Sequence, residues 1–435
     1  GQVVGLRKTP NEPPVHRPAA KFGGVTASDP GRPPAAAPSP RAQRPRMRAR
    51  TVIVALIVVA LAAGALWGLE RLSSRWGCRA NDAAILARNE GVLYGVNLDW
   101  GSESLLDYGQ KLGHPPAVAA QFTTLPYTDS QWHWVTEAAS QVSESGGVLL
   151  LTLEPNDGLA TVTDPVIDRL TTDLRTLNDR GIPVVLRFAH EMNGSWYAWS
   201  QQPIAYIATF RAVAAAVHHT APGTAMLWAP NYGGGYPFRG GDHHAKAGTE
   251  DFRLLDTNHD GKLTMADDPY LPYYPGDDAV DWVGMSLYHW GNHYPWGAND
   301  IPEPGKLAAL LTGTYSGSNG DETAVPDFYQ VFGVTHARPV SITETAAFYA
   351  PANGGASQLA IKQAWWRQVF SDDLHSRFPM LKMINWFEWN KFEPEVNTDV
   401  DWRALGPDTR TQFTADLPSW LRYGRGIPTC SWGFA

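Results

Sequence analysis

The chain has 435 residues, 43% of them apolar, 18 tryptophans, and 43 acidic against 35 basic side chains. That length suits one large domain with attachments, and the apolar share is that of a globular protein. Residues 1–50 carry ten of the basic and two of the acidic residues, leaving 25 basic and 41 acidic on the remainder, a net of −16. An acidic body excludes nucleic acid and acidic polysaccharides as partners and leaves room for a neutral polymer.

Residues 1–50 hold ten prolines and the run RAQRPRMRAR, with no apolar periodicity. Such a composition cannot bury a core, and it predicts a disordered, cytoplasmic Pro/Arg-rich tail. TVIVALIVVALAAGALWGL (51–69) is uncharged over 19 residues, enough at about 1.5 Å per residue to cross a bilayer core of about 30 Å. Flanking arginines orient this expected signal anchor with residues 70–435 outside the cell or in a lumen, a single-pass type II arrangement. A signal peptide cleaved after Ala60-Leu61-Ala62, giving a secreted protein, is the alternative. Residues 70–89 read as a linker and 90–435 as the catalytic domain. Cys78 and Cys430 lie at the two ends of that outer region, and an even count in an oxidising compartment predicts one disulfide between them.

From residue 90 onward, apolar runs alternate with helical stretches. The runs are 92–100, 117–122, 147–155, 183–191, 224–231, 281–290, 339–346 and 380–389; helices are expected at 130–144, 164–180, 203–219, 357–375 and 410–422. Near-continuous apolar runs separated by helices point to a parallel sheet. Eight such units predict an α/β fold, a (β/α)8 TIM barrel, whose active site lies at the C-terminal ends of the strands. A doubly wound open sheet competes, but no glycine-rich phosphate loop follows an early strand. Several runs end in polar and aromatic groups, as a barrel mouth requires: Asn97, Asp99, Trp100, Glu154, His190, Glu191, Asn231, Tyr288, Trp290, Glu344, Trp386 and Glu388.

The fourth run ends at Glu191 and the seventh at Glu344, three positions apart in an eight-membered ring. Two carboxyl groups about 5–5.5 Å apart across a sugar cleft make a retaining glycosidase. Trp196, Tyr197 and Trp199 would desolvate Glu191 and keep it protonated, while Arg187 and Tyr288 would hold Glu344 as an anion. Trp196, Trp199, Asn231 and Trp290 are candidate substrate-binding residues. A zinc HExxH site is excluded, because Gly194 stands where the second histidine is needed. No cofactor is expected for catalysis.

RFAHEMNGSWYAW (187–199) resembles the acid/base motif of glycoside hydrolase family 26, in clan A of the glycosidases. ITETA (342–346) resembles that family's nucleophile strand, YYPGDDAVDWVGMSLYHWG (273–291) its sixth strand and INWFEWNK (384–391) its eighth. The resemblance covers roughly 90–430 and implies Glu191 as acid/base, Glu344 as nucleophile, His190 as a partner beside the acid/base, Tyr288 as a donor to the nucleophile and Trp386 as a sugar platform. It implies an endo-acting enzyme on β-1,4-mannan or glucomannan, mixed-linkage β-1,3-1,4-glucan or β-1,3-xylan. Phe188-Ala189 before the histidine stands nearer the mixed-linkage glucanases. A glycan-binding protein that has lost catalysis is the rival reading.

DTNHDGKLTMAD (256–267) follows the spacing of a calcium loop. Asp256, Asn258, Asp260, the Lys262 carbonyl and Asp267 are the expected ligands of a structural Ca2+; an Asx-rich turn is the alternative. The sequon Asn193-Gly194-Ser195 falls inside the catalytic motif and is expected to carry no glycan.

Overall fold

The computed structural model describes residues 78–80, 90–317, 320–427 and 429–432. The chain divides into two units, and the second, Thr9–Trp76 with Phe434–Ala435, lies outside the described residues. Eight parallel strands carry the first unit: β1 Val92–Leu98, β2 Val118–Thr124, β3 Val148–Glu154, β4 Val184–Phe188, β5 Thr224–Trp228, β6 Trp282–Ser286, β7 Val340–Thr345 and β8 Leu381–Glu388. Each pairs with the next, and β8 returns to β1 with Ile384 opposite Tyr94 and Phe387 opposite Asn97, which closes the barrel.

The strands are apolar on both faces because both are covered. Leu93, Val118, Leu150, Val185, Leu227 and Met383 fill the barrel interior. The alternate residues, such as Tyr94, Leu149, Leu186 and Ile384, pack outward against the helices. The helices at Asp129–Ser145, Asp164–Asp179 and Pro203–Thr220 lie where their amphipathic stretches predict. The first of them starts on a reciprocal Thr128–Gln131 capping box. A helix at Leu105–Leu112, capped by Ser104, was not expected. The single helix expected over 357–375 is two, Gln358–Val369 and Asp372–Arg377, the second capped by Ser371. The last helix stops at Asp416, two residues before Pro418, and Leu421–Arg422 turns back to pair with β1.

The expected membrane helix is corrected here. Among the described residues no helix is long and apolar enough to cross a membrane. The tail at 1–50 and the apolar run 51–69, on which the signal anchor, the membrane partner and the type II placement rested, lie outside the described residues. Cys78–Ala80 pairs antiparallel with Cys430–Trp432, in a register that sets Cys78 opposite Trp432 and Ala80 opposite Cys430, and Cys430 is disulfide-bonded. The two ends are joined by that short ladder, and the Cys78 side chain lies outside the described residues.

Past the end of β6, His289 is buried, with Nε2 2.8 Å from the Asp300 carbonyl and Nδ1 3.4 Å from the Lys306 ammonium. Burial, and next the Lys306 charge, push its imidazole down to about 3. The folded state therefore keeps His289 neutral while the unfolded chain protonates it below about 6.5. This contribution is complete above that value and is lost as pH falls toward 3. His289→Gln is expected to lessen the fall in stability between pH 6.5 and 3 by an amount on the order of 4 kcal/mol, read from urea unfolding at a series of pH values. An unchanged slope would contradict this.

Candidate active site

Two backbone irregularities aim the polar groups at the barrel mouth. Beyond β4, Ala189 and Glu191 take left-handed φ angles of 47° and 53°, although the Ala189 and Glu191 amides still reach the Leu153 and Ala229 carbonyls at 2.9 Å each. Non-glycine residues in this region cost about 1–3 kcal/mol each and cluster at functional sites. The second irregularity lies in β7. Ile342 pairs with Met285 and Glu344 with Ser286, so two steps on β7 match one on β6. That bulge turns Glu344 to the interior.

Glu191 and Glu344 are fully buried and meet across the mouth. A carboxylate oxygen of each and a ring nitrogen of His190 lie within 4.8 Å of one another. The two carboxylates have different partners. Glu344 accepts from the Arg187 guanidinium at 2.5 Å and from the Tyr288 hydroxyl at 2.6 Å. Both bonds favour the anion. Burial, and then the charge of Glu344, push the Tyr288 phenol well above its ordinary range, so it stays a donor. Glu191 accepts from the Ser286 hydroxyl at 2.6 Å and the Trp196 indole at 3.2 Å. Neither partner is charged. Ser286 in turn accepts from Arg187 at 3.0 Å, so one guanidinium reaches Glu344 directly and Glu191 through a hydroxyl.

Around this pair, His190 Nε2 is 3.3 Å from the Tyr197 hydroxyl, and Phe122 packs its ring edge-on to the imidazole at 5.9 Å. Gly194 lets Trp196 fold back toward Glu191, since a Cβ there would lie 2.5 Å from the indole ring. Both ends of the Asn193 amide are held by the Asn231 backbone, at 2.8 and 2.9 Å, which leaves the sequon asparagine buried. His190, Glu191 and Glu344 also form a donor set that could hold a divalent cation. The Arg187 charge on Glu344 opposes such an ion.

Trp196, Asn231, Tyr288 and Trp290 are half-buried at the mouth, whereas Trp199 and Trp386 are buried. Trp199 stacks on Tyr197 at 4.3 Å and donates to the His190 carbonyl at 2.8 Å, so it supports the loop. Trp386 turns away from the cleft. In β8 the interior face is Met383, Asn385 and Phe387, and Trp386 packs outward on Phe370 and Phe413. Phe387 takes the inward position instead, 5.9 Å from Tyr288 and stacked on Trp389 at 5.8 Å. Ser286 was missed from sequence, although it ends β6 two residues before Tyr288.

Residues 256–267 form a loop in which each acidic group accepts amides of the loop itself. The Asp256 carboxylate takes the Asp260 and Gly261 amides at 3.0 and 2.8 Å, and that of Asp267 takes Thr264 at 2.8 Å and Asn258 at 3.3 Å. Asn258 Oδ1 accepts from Asp260 at 3.0 Å, and Asp260 Oδ1 from Lys262 at 2.8 Å.

The profile of glycosyl hydrolase family 26 matches residues 97–230, from the tip of β1 through β5, and so includes Glu191. That stretch of the chain is homologous to the family. Endoglucanase H of Acetivibrio thermocellus is 27% identical over 213 residues, which is 45% of this chain and 20% of that protein. The chain thus spans about a fifth of the length of the curated relative it matches. Among solved structures, a modular endo-β-1,4-mannanase from Cellulomonas fimi superposes with a TM-score of 0.50 at 16% identity, covering 82% of this chain and 79% of that one. A double mutant of a Cellulomonas fimi endo-β-1,4-mannanase does so with the same score and identity over 81% and 77%. The likeness to these solved structures is one of fold.

Trp386→Ala is expected to lower stability by about 3–5 kcal/mol, measured by urea unfolding, while leaving sugar binding intact. Lost binding at unchanged stability would return Trp386 to the cleft.

Proposed function

We propose that the chain is a retaining endo-β-glycosidase acting on a neutral β-linked polysaccharide. The observation that carries this reading is the meeting of Glu191 and Glu344 within 4.8 Å, one beside uncharged donors and the other on a guanidinium. One oxygen of each within that limit supports the close carboxyl pair, about 5–5.5 Å, of retaining enzymes over the roughly 6.5 Å or more of inverting ones.

In the first step the Glu344 carboxylate attacks the anomeric carbon. The bond to the leaving oxygen breaks, and the Glu191 carboxyl gives that oxygen its proton. A glycosyl ester on Glu344 results. In the second step Glu191, now a carboxylate, takes a proton from water as the water oxygen attacks the same carbon and releases Glu344. Ser286 and Trp196 orient Glu191, and Arg187 and Tyr288 keep Glu344 charged between turnovers. His190 is the partner beside the acid/base, and Trp196, Asn231 and Trp290 are the half-buried groups that would meet sugar rings.

Two substrates fit best: β-1,4-mannan or glucomannan, and mixed-linkage β-1,3-1,4-glucan. The mannanase name of a structural neighbour favours the first. The endoglucanase name of the sequence relative, with Phe188-Ala189 before the histidine, favours the second.

Residues 70–435 are to be assayed for new reducing ends on mannan, glucomannan, mixed-linkage glucan and β-1,3-xylan. Release from one polymer is expected, with a loss of at least about 10³-fold in Glu344→Ala. With an aryl glycoside and azide, Glu344→Ala is expected to give the inverted glycosyl azide, because azide replaces the nucleophile in a single displacement. Glu191→Ala is expected to give the retained azide, because azide then intercepts the ester. Exchanged outcomes would reverse the roles. Intact binding with no release from any polymer would instead favour a glycan-binding protein.

We also propose that the 256–267 loop takes a structural Ca2+ through Asp256, Asn258, Asp260, the Lys262 carbonyl and Asp267. Calcium at about 100 times its Kd is expected to stabilise the fold by about 2.7 kcal/mol over the chelated protein, seen as a rise in Tm. An equal Tm with calcium and with chelator would refute it.

A further inference from the structure

A buried ionic cluster lies outside the pair of glutamates and touches it through one tryptophan. Glu388, at the end of β8, is 5% exposed, and its two carboxylate oxygens accept the Leu405 and Ala404 amides at 2.7 and 2.9 Å. The fully buried Lys362, on the Gln358–Val369 helix, donates to the Arg403 carbonyl and lies 3.6 Å from Asp401. Asp401 is held in turn by the Arg403 guanidinium at 2.8 Å and by Gln358 at 3.1 Å. Glu388 and Lys362 therefore grip one short loop, 401–405, from two elements.

Trp402 stands in that loop, 1% exposed. Its amide donates to the Trp389 carbonyl at 2.8 Å, its carbonyl accepts from Trp386 at 3.1 Å, and its indole donates to Glu393 at 2.7 Å. Its ring meets Tyr288 at 5.3 Å, Trp290 at 4.8 Å and Phe348 at 5.9 Å. Tyr288 is the phenol that donates to Glu344. A buried ionic cluster is a weak source of stability, because desolvation of its charges offsets most of their attraction. Its geometry supplies a fixed position for the ring behind Tyr288.

We propose that Glu388 is a positioning residue: with Lys362 and Asp401 it fixes the 401–405 loop, so that the Trp402 ring holds the Tyr288 hydroxyl on the Glu344 carboxylate. The proposal rests on the reading of Glu344 as nucleophile. The charged and titratable groups around Glu388 are Lys362 from the helix, Asp401 and Arg403 from the loop, and the buried phenols Tyr94 of β1 and Tyr108 of the Leu105–Leu112 helix. Burial raises the Glu388 carboxyl above its ordinary range and lowers the Lys362 ammonium below its own.

The test is a titration of Glu344 itself, by NMR on protein carrying carboxyl-13C glutamate, with the signal assigned by its absence in Glu344→Gln. Tyr288→Phe removes a hydrogen bond to the anion and moves the Glu344 titration upward. Glu388→Gln drops the charge and is expected to move it in the same direction, by less. The acid limb of kcat/KM follows, with kcat lowered about tenfold and KM changed less than about twofold. Trp402→Phe leaves the ionic cluster in place and is expected to act as Glu388→Gln does, which covers a Glu388→Gln protein that fails to fold. A Glu344 titration unmoved in the folded Glu388→Gln or Trp402→Phe protein, while Tyr288→Phe moves it, overturns the proposal and leaves Glu388 as a stability residue only. Absence of turnover in the unsubstituted protein would overturn the reading of function, and the titration would still decide the positioning.

Discussion

The site depends on one guanidinium. Two carboxylates buried within 4.8 Å of each other repel strongly, and burial of either alone is costly. Arg187, on the interior face of β4 and 1% exposed, contacts Glu344 directly and reaches Glu191 through the Ser286 hydroxyl. Its single charge is thus shared unequally. In the proposed mechanism that inequality separates the two glutamates: the one on the guanidinium serves as the anion, and the one on a hydroxyl and an indole carries the proton. Loss of Arg187 would leave two buried acids competing for one proton and no distinction between them.

The barrel supplies the frame on which that charge can act. Parallel pairing all the way round brings the ends of β4, β6 and β7 to one mouth, with β5 between β4 and β6, but a regular strand would send alternate residues to opposite faces. The left-handed turns at Ala189 and Glu191 and the bulge before Glu344 break that alternation where the carboxylates are needed. Tyr288 then closes the arrangement from β6, backed by Trp402 from the far side of β8. Strain at the strand ends is sustained by the packed barrel beneath them, an instance of local rules being broken at a functional site and upheld elsewhere.

Much of this was legible before the fold was known. Seven of the eight strands lie within the apolar runs that predicted them and β2 runs two residues past its own, because a strand covered on both faces is largely apolar. The run of polar and aromatic residues at the strand ends marked the mouth. What was not legible has specific physical causes. The Leu105–Leu112 helix was missed because Gly109 interrupts its apolar stripe and Ser104 alone signals its start. The family resemblance implied Trp386 in the cleft, whereas the interior positions of Met383 and Asn385 place Phe387 there. Ser286 and Trp402 carry no motif. The first ends β6 two residues before Tyr288, and the second acts because a loop folds back over β8, a tertiary contact that local pattern does not encode. The apolar run at 51–69 has the composition of a membrane segment and lies outside the described residues.

The anomeric configuration of the first-formed product tests the central claim most directly. Proton NMR during the first minutes of hydrolysis of a β-linked substrate distinguishes the β from the α hemiacetal before mutarotation mixes them. Two displacements at the same carbon, through an ester on Glu344, predict the β anomer first. The α anomer first would mean a single displacement by water, and would contradict the assignment of Glu344 as nucleophile.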